Sequence, residues 1–208
     1  MDIILIETNG VSFPELSGFL GCVTKARAAR IAKKQGDSDK VNALLGELLV
    51  LSEITARTGL PRRKISFSFG SRGKPYLKDD KLWFSLSHTN GALCAAFSSD
   101  GEIGVDIEPK NRAVSEGLKK RVLSEKERAL VVSGADFLRM WVKKEAFLKR
   151  LGIGITRDLR TVDTTLLPDT AAFEAGGYLV GASGANAESA SIKRMTVDEL
   201  LSRYIKRN

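Results

Sequence analysis

Apolar residues recur with two different periods along this chain, and each change of period marks a structural element. Residues 2–7 hold a short apolar run, Ile3-Ile4-Leu5-Ile6 between acids, which predicts a buried strand. A basic amphipathic stretch at 22–34 predicts a helix broken by Gly36 and Asp37. Val41, Leu44, Leu45 and Leu48 keep helical spacing to about residue 57, and Gly59 followed by Pro61 supplies a stop. Alternation at 65–69, 82–86, 93–97 and 103–108 predicts strands, with Gly73-Lys74-Pro75 as a turn. The segment 98–101, Ser-Ser-Asp-Gly, reads as the turn of a hairpin joining the last two. Ser124-Glu125-Lys126-Glu127 forms a capping box before a helix, and a longer helix over about 136–150 stops at Gly152. Strands are expected near 160–164, 171–173, 178–181 and 191–194, with an exposed tip at 184–188. Thr196-Val197-Asp198-Glu199 caps a short last helix.

Two stretches carry chemistry. In Ile103-Gly104-Val105-Asp106-Ile107-Glu108 the strand period turns Val105 and Ile107 into a core and leaves Asp106 and Glu108 together on the opposite face. In Trp141-Val142-Lys143-Lys144-Glu145-Ala146-Phe147-Leu148-Lys149 the helix period stacks Trp141, Glu145 and Lys149 on one stripe. If that helix crosses the strand, three carboxylates meet beside an ammonium. Oxygen donors suit a hard divalent cation such as Mg²⁺, and the lysine suits a phosphate bridging to that ion, so the pair of motifs fits a diphosphate ester. Each motif alone is ordinary: half-exposed strands alternate in this way, and a Lys-Glu pair is common on helices.

Composition narrows the class. Of 208 residues, 43% are hydrophobic and 28% charged, which is globular material and excludes a disordered or fibrous chain. No run is long and apolar enough to predict a transmembrane helix. The N-terminal apolar core is too short and too acidic in its flanks for a signal sequence, so a cytoplasmic protein is expected. Cys22 and Cys94 lack any paired spacing and are expected as reduced thiols. Lys and Arg number 33 against 25 Asp and Glu, a net charge of +8, which favours an anionic partner without choosing among nucleic acid, membrane, phosphorylated cofactor or acidic protein.

Further blocks accompany the two motifs: Phe84-Ser85-Leu86-Ser87-His88, Gly73-Lys74-Pro75, and Leu44-Leu45-Gly46-Glu47-Leu48-Leu49-Val50. In this order and spacing the set resembles the 4′-phosphopantetheinyl transferases, in their larger, surfactin-synthetase-activating type, over about residues 25–156. One departure is Ala146, where many members carry serine; it removes a hydroxyl and no ligand. The resemblance implies transfer of the phosphopantetheine arm of coenzyme A onto a serine of an acyl or peptidyl carrier protein, with release of 3′,5′-ADP and Mg²⁺ as cofactor. It implies metal ligands at Asp106, Glu108 and Glu145, and catalytic roles for Glu145 and Lys149. Coenzyme contacts are implied at Lys149, Lys74, Ser87 and His88, and at Arg27 and Arg30 for the nucleotide end. Glu145 is the first candidate to take the serine's proton, although a metal ligand is a poor base while bound, so that role stays open.

The fold implied by the resemblance is α+β, a pseudo-dimer of two similar halves, 1–101 and 102–208, with the coenzyme in the cleft between them. Both halves mix helices and strands, yet no residue-by-residue repeat is visible. A monomer is expected, partnered by coenzyme A and an acidic carrier, with neither nucleic acid nor membrane. The basic run 110–121 is the candidate docking face. Trp141 and Phe147 read as core packing, and without the resemblance the single histidine, His88, would read as structural. Two rival functions exist. A Mg²⁺-dependent hydrolase of diphosphate esters would use the same acids; a basic nucleic-acid-binding protein would leave them unexplained.

Overall fold

In the computed structural model, which describes residues 1–78, 82–154 and 158–205, the first strand already shows how the layers are arranged. Strand β1 (Asp2–Glu7) is apolar on both faces: Ile4 and Ile6 enter one core, Ile3 and Leu5 another. It is followed by α1 (Phe13–Leu16), α2 (Lys25–Ala32), α3 (Asp37–Thr58), β2 (Phe67–Phe69), β3 (Pro75–Leu77), β4 (Trp83–Thr89), β5 (Ala92–Ser98) and β6 (Gly104–Pro109). Then come α4 (Glu116–Val122), α5 (Glu125–Leu130), α6 (Gly134–Leu151), β7 (Thr170–Ala175), β8 (Tyr178–Ser183), β9 (Ser191–Arg194) and α7 (Val197–Ser202).

Among the described residues, a first sheet has the order β4-β5-β1-β9 and a second the order β6-β8-β7, with β2 and β3 as a separate hairpin. The long helix α3 packs its Leu44, Leu45, Leu48 and Leu49 against one face of the first sheet. The other face of that sheet, with Ile3, Leu5, Cys94 and Ala96, packs on Val105, Ile107, Val180 and Ala182 of the second. Helix α6 covers the far face of the second sheet through Phe137, Leu138, Val142 and Leu148. Helix, sheet, sheet and helix therefore lie in layers, and the α+β expectation holds. No helix among the described residues is long and apolar enough to cross a membrane.

Several local expectations hold for their stated reasons. Gly59 and Gly152 end α3 and α6 with φ of 75° and 66°, in the left-handed region that glycine enters without strain. The capping boxes at Ser124 and Thr196 form. Cys22 and Cys94 are both free thiols.

Others do not. Strands β5 and β6 do not form a hairpin: β5 pairs with β1 and β4, while β6 pairs antiparallel with β8, so the turn at 98–101 carries the chain from one sheet to the other. The strand expected at 160–164 is replaced by two 3-10 turns, Leu159–Thr161 and Thr164–Leu166. Asp158 and Asp163 accept backbone N–H bonds from Arg160 and Thr165, local pairings that compete with a ladder. The tip at 184–188 is only partly exposed, because Ala187 packs in the core between the sheets. Finally, β9 adds parallel to β1 and α7 packs against the first core through Leu200, so the chain after about residue 190 lies with the elements of the first half.

A fully enclosed ion pair holds α6 to the shorter helices before it. Lys144 Nζ donates to Glu127 Oε2 (2.6 Å), to the Val122 carbonyl (2.6 Å) and to the Leu159 carbonyl (2.8 Å), and both side chains are 0% exposed. Glu127 in turn accepts from Ser124 N, Thr164 N and Thr164 Oγ1. Burial alone pushes the Glu127 carboxyl up, but the bonds from Lys144, Thr164 and Ser124 outweigh it and hold the group below its ordinary value of 4.5. A carboxyl depressed in the folded state contributes stability that is complete above its unfolded pKa and is lost as the pH falls through the folded one. Glu127→Gln is therefore expected to cost about 3–5 kcal/mol near neutral pH, by leaving Lys144 unpaired, and the gap to the parent should narrow as the pH falls below about 4. Urea unfolding at a series of pH values measures both; a gap independent of pH would contradict the assignment.

Candidate active site

The site begins with a missing side chain. A Cβ at Gly104 would lie 1.9 Å from the Ala146 carbonyl oxygen, and one at Gly181 would lie 2.1 Å from that of Val142. Gly181 is the partner of Asp106 across the β6–β8 ladder, so the backbone of α6 rests directly on the sheet at the position of the acid. The predicted stripe of α6 therefore meets the predicted face of β6. Lys149 Nζ donates to Asp106 Oδ1 (2.7 Å), and Trp141 Nε1 donates to Glu108 Oε1 (2.9 Å). Glu145 lies between these contacts along the stripe, buried and within the field of Asp106 and Glu108.

Strand β4 completes the arrangement from the edge of the first sheet. Ser85 Oγ accepts the Val105 N–H (3.1 Å), and Ser87 Oγ accepts from Lys149 Nζ (2.6 Å) while donating to Asp106 Oδ1 (2.8 Å). Lys149, Ser87 and Asp106 thus form a closed triangle. Two buried carboxylate oxygens are left over: Asp106 Oδ2 and Glu145 Oε1 have no hydrogen-bond partner among the described residues. Burial, then the charge of Asp106, pushes the Glu145 carboxyl up to about 7. Burial and the same neighbour also raise Glu108, against the opposing pull of Arg112, which pairs with it.

Beside this cluster opens a cavity of about 430 Å³, walled by Arg27, Lys34, Arg72, Lys74, His88 and Lys149, with Ala43, Phe84 and Leu86 as apolar surface. First-half residues make most of the wall and Lys149, Gly152 and Gly154 the rest. Burial, and after it the ammonium groups of Lys34 and Lys149, push the His88 imidazole below its ordinary pKa against the opposing pull of Asp39 and Asp106. Such a cavity suits a polyanion. A larger groove of about 700 Å³ between β1, α1 and α7 has Arg194 as its one described cation, paired with Glu7, and offers no such field.

The residues expected from the sequence are not all placed alike. Arg27, Lys74, His88 and Lys149 line the cavity; Arg27 also pairs with Glu47 (3.0 Å). Arg30 is exposed and outside the lining. Ser87 is buried behind the wall, bonded to Lys149. The Lys74 ammonium is turned to the carbonyls of Arg150 (2.7 Å) and Ile103 (3.1 Å), tying the Gly-Lys-Pro turn to the end of α6 and the start of β6. Among the described residues no three His, Cys, Asp or Glu side chains are grouped closely enough to hold one ion, and Glu108 Oε1 is taken by Trp141 and Arg112. Trp141 packs against the α6 core as expected, stacked on Phe137, and in addition its Nε1 holds Glu108; the Arg112 guanidinium lies 5.0 Å from its ring. Lys34 and Arg72 in the cavity and Glu127 beneath α6 were also missed. Trp141's place on the Glu145 stripe and Arg112's four-residue spacing from Glu108 were the available signals.

Comparisons with known proteins bear on this geometry directly. Residues 102–194, which carry the acidic strand and α6, match the profile of the 4′-phosphopantetheinyl transferase superfamily. The 4′-phosphopantetheinyl transferase ffp of Bacillus subtilis is 32% identical over 161 residues, 74% of this chain and 70% of the relative. The chain belongs to this superfamily. The 4′-phosphopantetheinyl transferase Sfp of Bacillus subtilis strain 168 is 30% identical over 166 residues, covering 76% of this chain and 73% of that protein, which supports the larger, surfactin-synthetase-activating type. The L-aminoadipate-semialdehyde dehydrogenase-phosphopantetheinyl transferase of Candida glabrata is 32% identical over 151 residues, 66% of this chain and 57% of its own length. An enzyme of this superfamily moves a phosphopantetheinyl group, and the basic cavity next to the carboxylates is the candidate place for it.

Because α6 rests on backbone at Gly181, a methyl group there must separate helix from sheet. Gly181→Ala is expected to cost about 1–3 kcal/mol of stability and to abolish most transferase activity even below the melting temperature. Denaturant unfolding and a carrier-modification assay on the same preparation check this; full activity would show that the close approach does not matter to the site.

Proposed function

We propose that the cavity takes coenzyme A and that the chain transfers its phosphopantetheine arm to a serine hydroxyl of an acidic acyl or peptidyl carrier protein, releasing 3′,5′-ADP. The observation that carries this reading is Lys149, which belongs at once to the basic cavity wall and to the carboxylate cluster. A diphosphate in the cavity would put its bridging region next to the acids. Arg27, Lys34, Arg72 and His88 face the phosphates of the nucleotide end, and Phe84, Ala43 and Leu86 offer apolar surface. Arg30, being exposed, acts at most from the rim.

The donor chemistry fits a divalent cation. Among the described residues Asp106 Oδ2 and Glu145 Oε1 are buried without a hydrogen-bond partner, and Glu108 adds a third carboxylate within the field of Glu145. Asp106 and Glu145, joined by Glu108 once its carboxylate turns away from Trp141 and Arg112, are the residues that would hold Mg²⁺, which would neutralise charge developing on the departing phosphate. Lys149 stabilises the same charge from the cavity side, while Ser87 keeps its ammonium oriented. The serine's proton passes to a carboxylate of this cluster, directly or through a water, with Glu145 the first candidate only while it is not bound to the metal.

The carrier is proposed to approach from the second half. Lys110 and Lys119 are paired with Glu174 and Glu116, which leaves Lys120 and Arg121, exposed at the end of α4 and without an ion pair among the described residues, as the cations for an acidic partner. The two functional halves meet at about residue 101 as a pseudo-dimer, with the cavity at their seam and the last segment alongside the first half. A cytoplasmic monomer suffices, since both sides of the cavity come from one chain.

The deciding experiment is intact-mass spectrometry of a purified apo-carrier incubated with the protein, coenzyme A and Mg²⁺. The carrier is expected to gain one phosphopantetheine, the gain should vanish with chelator, and Glu145→Gln and Lys149→Ala should each slow it by about 100-fold or more. Cleavage of coenzyme A with no gain on the carrier would instead establish a hydrolase.

A further inference from the structure

The Glu127–Lys144 pair lies outside the cavity and outside the acidic face, and neither group can touch a substrate, because both are fully enclosed. Its place in α6 is nevertheless adjacent to the chemistry. Lys144 and Glu145 are consecutive, so they project about 100° apart around the helix axis. One faces α4, α5 and the turn at Leu159, and the other faces Asp106.

The backbone contacts at Gly104 and Gly181 set the distance of α6 from the sheet, while its apolar contacts through Phe137, Leu138, Val142 and Leu148 are non-directional and resist rotation weakly. The three bonds of Lys144 are directional, and each ends on a different element. They fix the angle at which α6 presents its neighbouring residue. A rotation of about 10° would move the Glu145 carboxylate by on the order of 1 Å, enough to change how it shares an ion with Asp106.

We infer that Glu127, through Lys144, is a positioning residue that sets the rotation of α6 and thereby the spacing of Glu145 from Asp106, and so governs divalent-cation affinity at the site. This rests on the proposed metal role of those carboxylates. Thr164 extends the same device: its N–H and Oγ1 both bond Glu127 Oε1, at 2.9 and 2.8 Å, and orient the carboxylate toward Lys144.

The test separates orientation from stability. In the double variant Glu127→Leu/Lys144→Met both buried charges disappear together, which commonly leaves stability near or above that of the parent. Cation binding is read directly, by counting free Mn²⁺ with electron paramagnetic resonance, alongside the Mg²⁺ requirement of carrier modification and the KM for coenzyme A. The double variant is expected to melt within a few degrees of the parent, to bind Mn²⁺ roughly tenfold more weakly, and to need correspondingly more Mg²⁺, with KM for coenzyme A nearly unchanged. Thr164→Val, which removes one hydrogen bond and keeps the fold should the double variant not purify, is expected to weaken Mn²⁺ binding roughly two- to threefold. Parental Mn²⁺ affinity in either folded variant would overturn the positioning role while leaving the metal reading intact. A parent protein that binds no Mn²⁺ and ignores Mg²⁺ would overturn both.

Discussion

The close approach of α6 to the second sheet is the constraint on which the site depends. Gly104 and Gly181 leave the sheet bare where the Ala146 and Val142 carbonyls come down on it, and no larger residue leaves that space. Ordinary helix-on-sheet packing interposes side chains and would hold Glu145 and Lys149 farther from Asp106. Here the contact is backbone to backbone, and the functional side chains on the flank of the helix reach those on the strand directly.

That proximity creates an electrostatic problem which the surrounding residues divide among themselves. Carboxylates gathered on neighbouring faces repel, and burial raises the cost of ionising Glu145 and Glu108. Lys149 and Ser87 answer for one oxygen of Asp106, and Trp141 with Arg112 for one oxygen of Glu108. Glu145 has no such answer among the described residues and keeps a raised pKa and a partnerless oxygen. Unresolved polar groups of this kind are rare in protein interiors and concentrate where a ligand supplies the missing partner.

The edges of the two sheets do a second job. β4 and β6 are each terminal strands, and the hydroxyls of Ser85 and Ser87 bridge the gap between them, one to the Val105 N–H and the other to Asp106. An exposed edge is thereby closed while the residues after it, ending at His88, are aimed into the cavity. Lys74 draws the Gly-Lys-Pro turn onto the same junction. Blocks that are separate along the chain are thus parts of one seam.

Much of this was legible in the sequence, and for a definite reason. The two-residue period fixed which face Asp106 and Glu108 share, and the 3.6-residue period fixed that Trp141, Glu145 and Lys149 form a stripe, because both follow from backbone geometry alone. Helix ends at Gly59 and Gly152 and the capping boxes were equally local. The hairpin expected from β5 to β6 failed because a turn signal says that the chain reverses and not which sheet receives it. The strand expected at 160–164 failed because Asp158 and Asp163 bond their own backbone, a competition decided at short range yet tied to the burial of Leu159 and Val162. The enclosure of Lys144 with Glu127, the turning of Lys74 to carbonyls, and the second role of Trp141, whose indole N–H holds Glu108 while its ring packs, were decided only by the tertiary structure. Each depends on which distant groups lie within about 3 Å, and hydrogen bonds and desolvation act over that distance in space, whatever the separation along the chain.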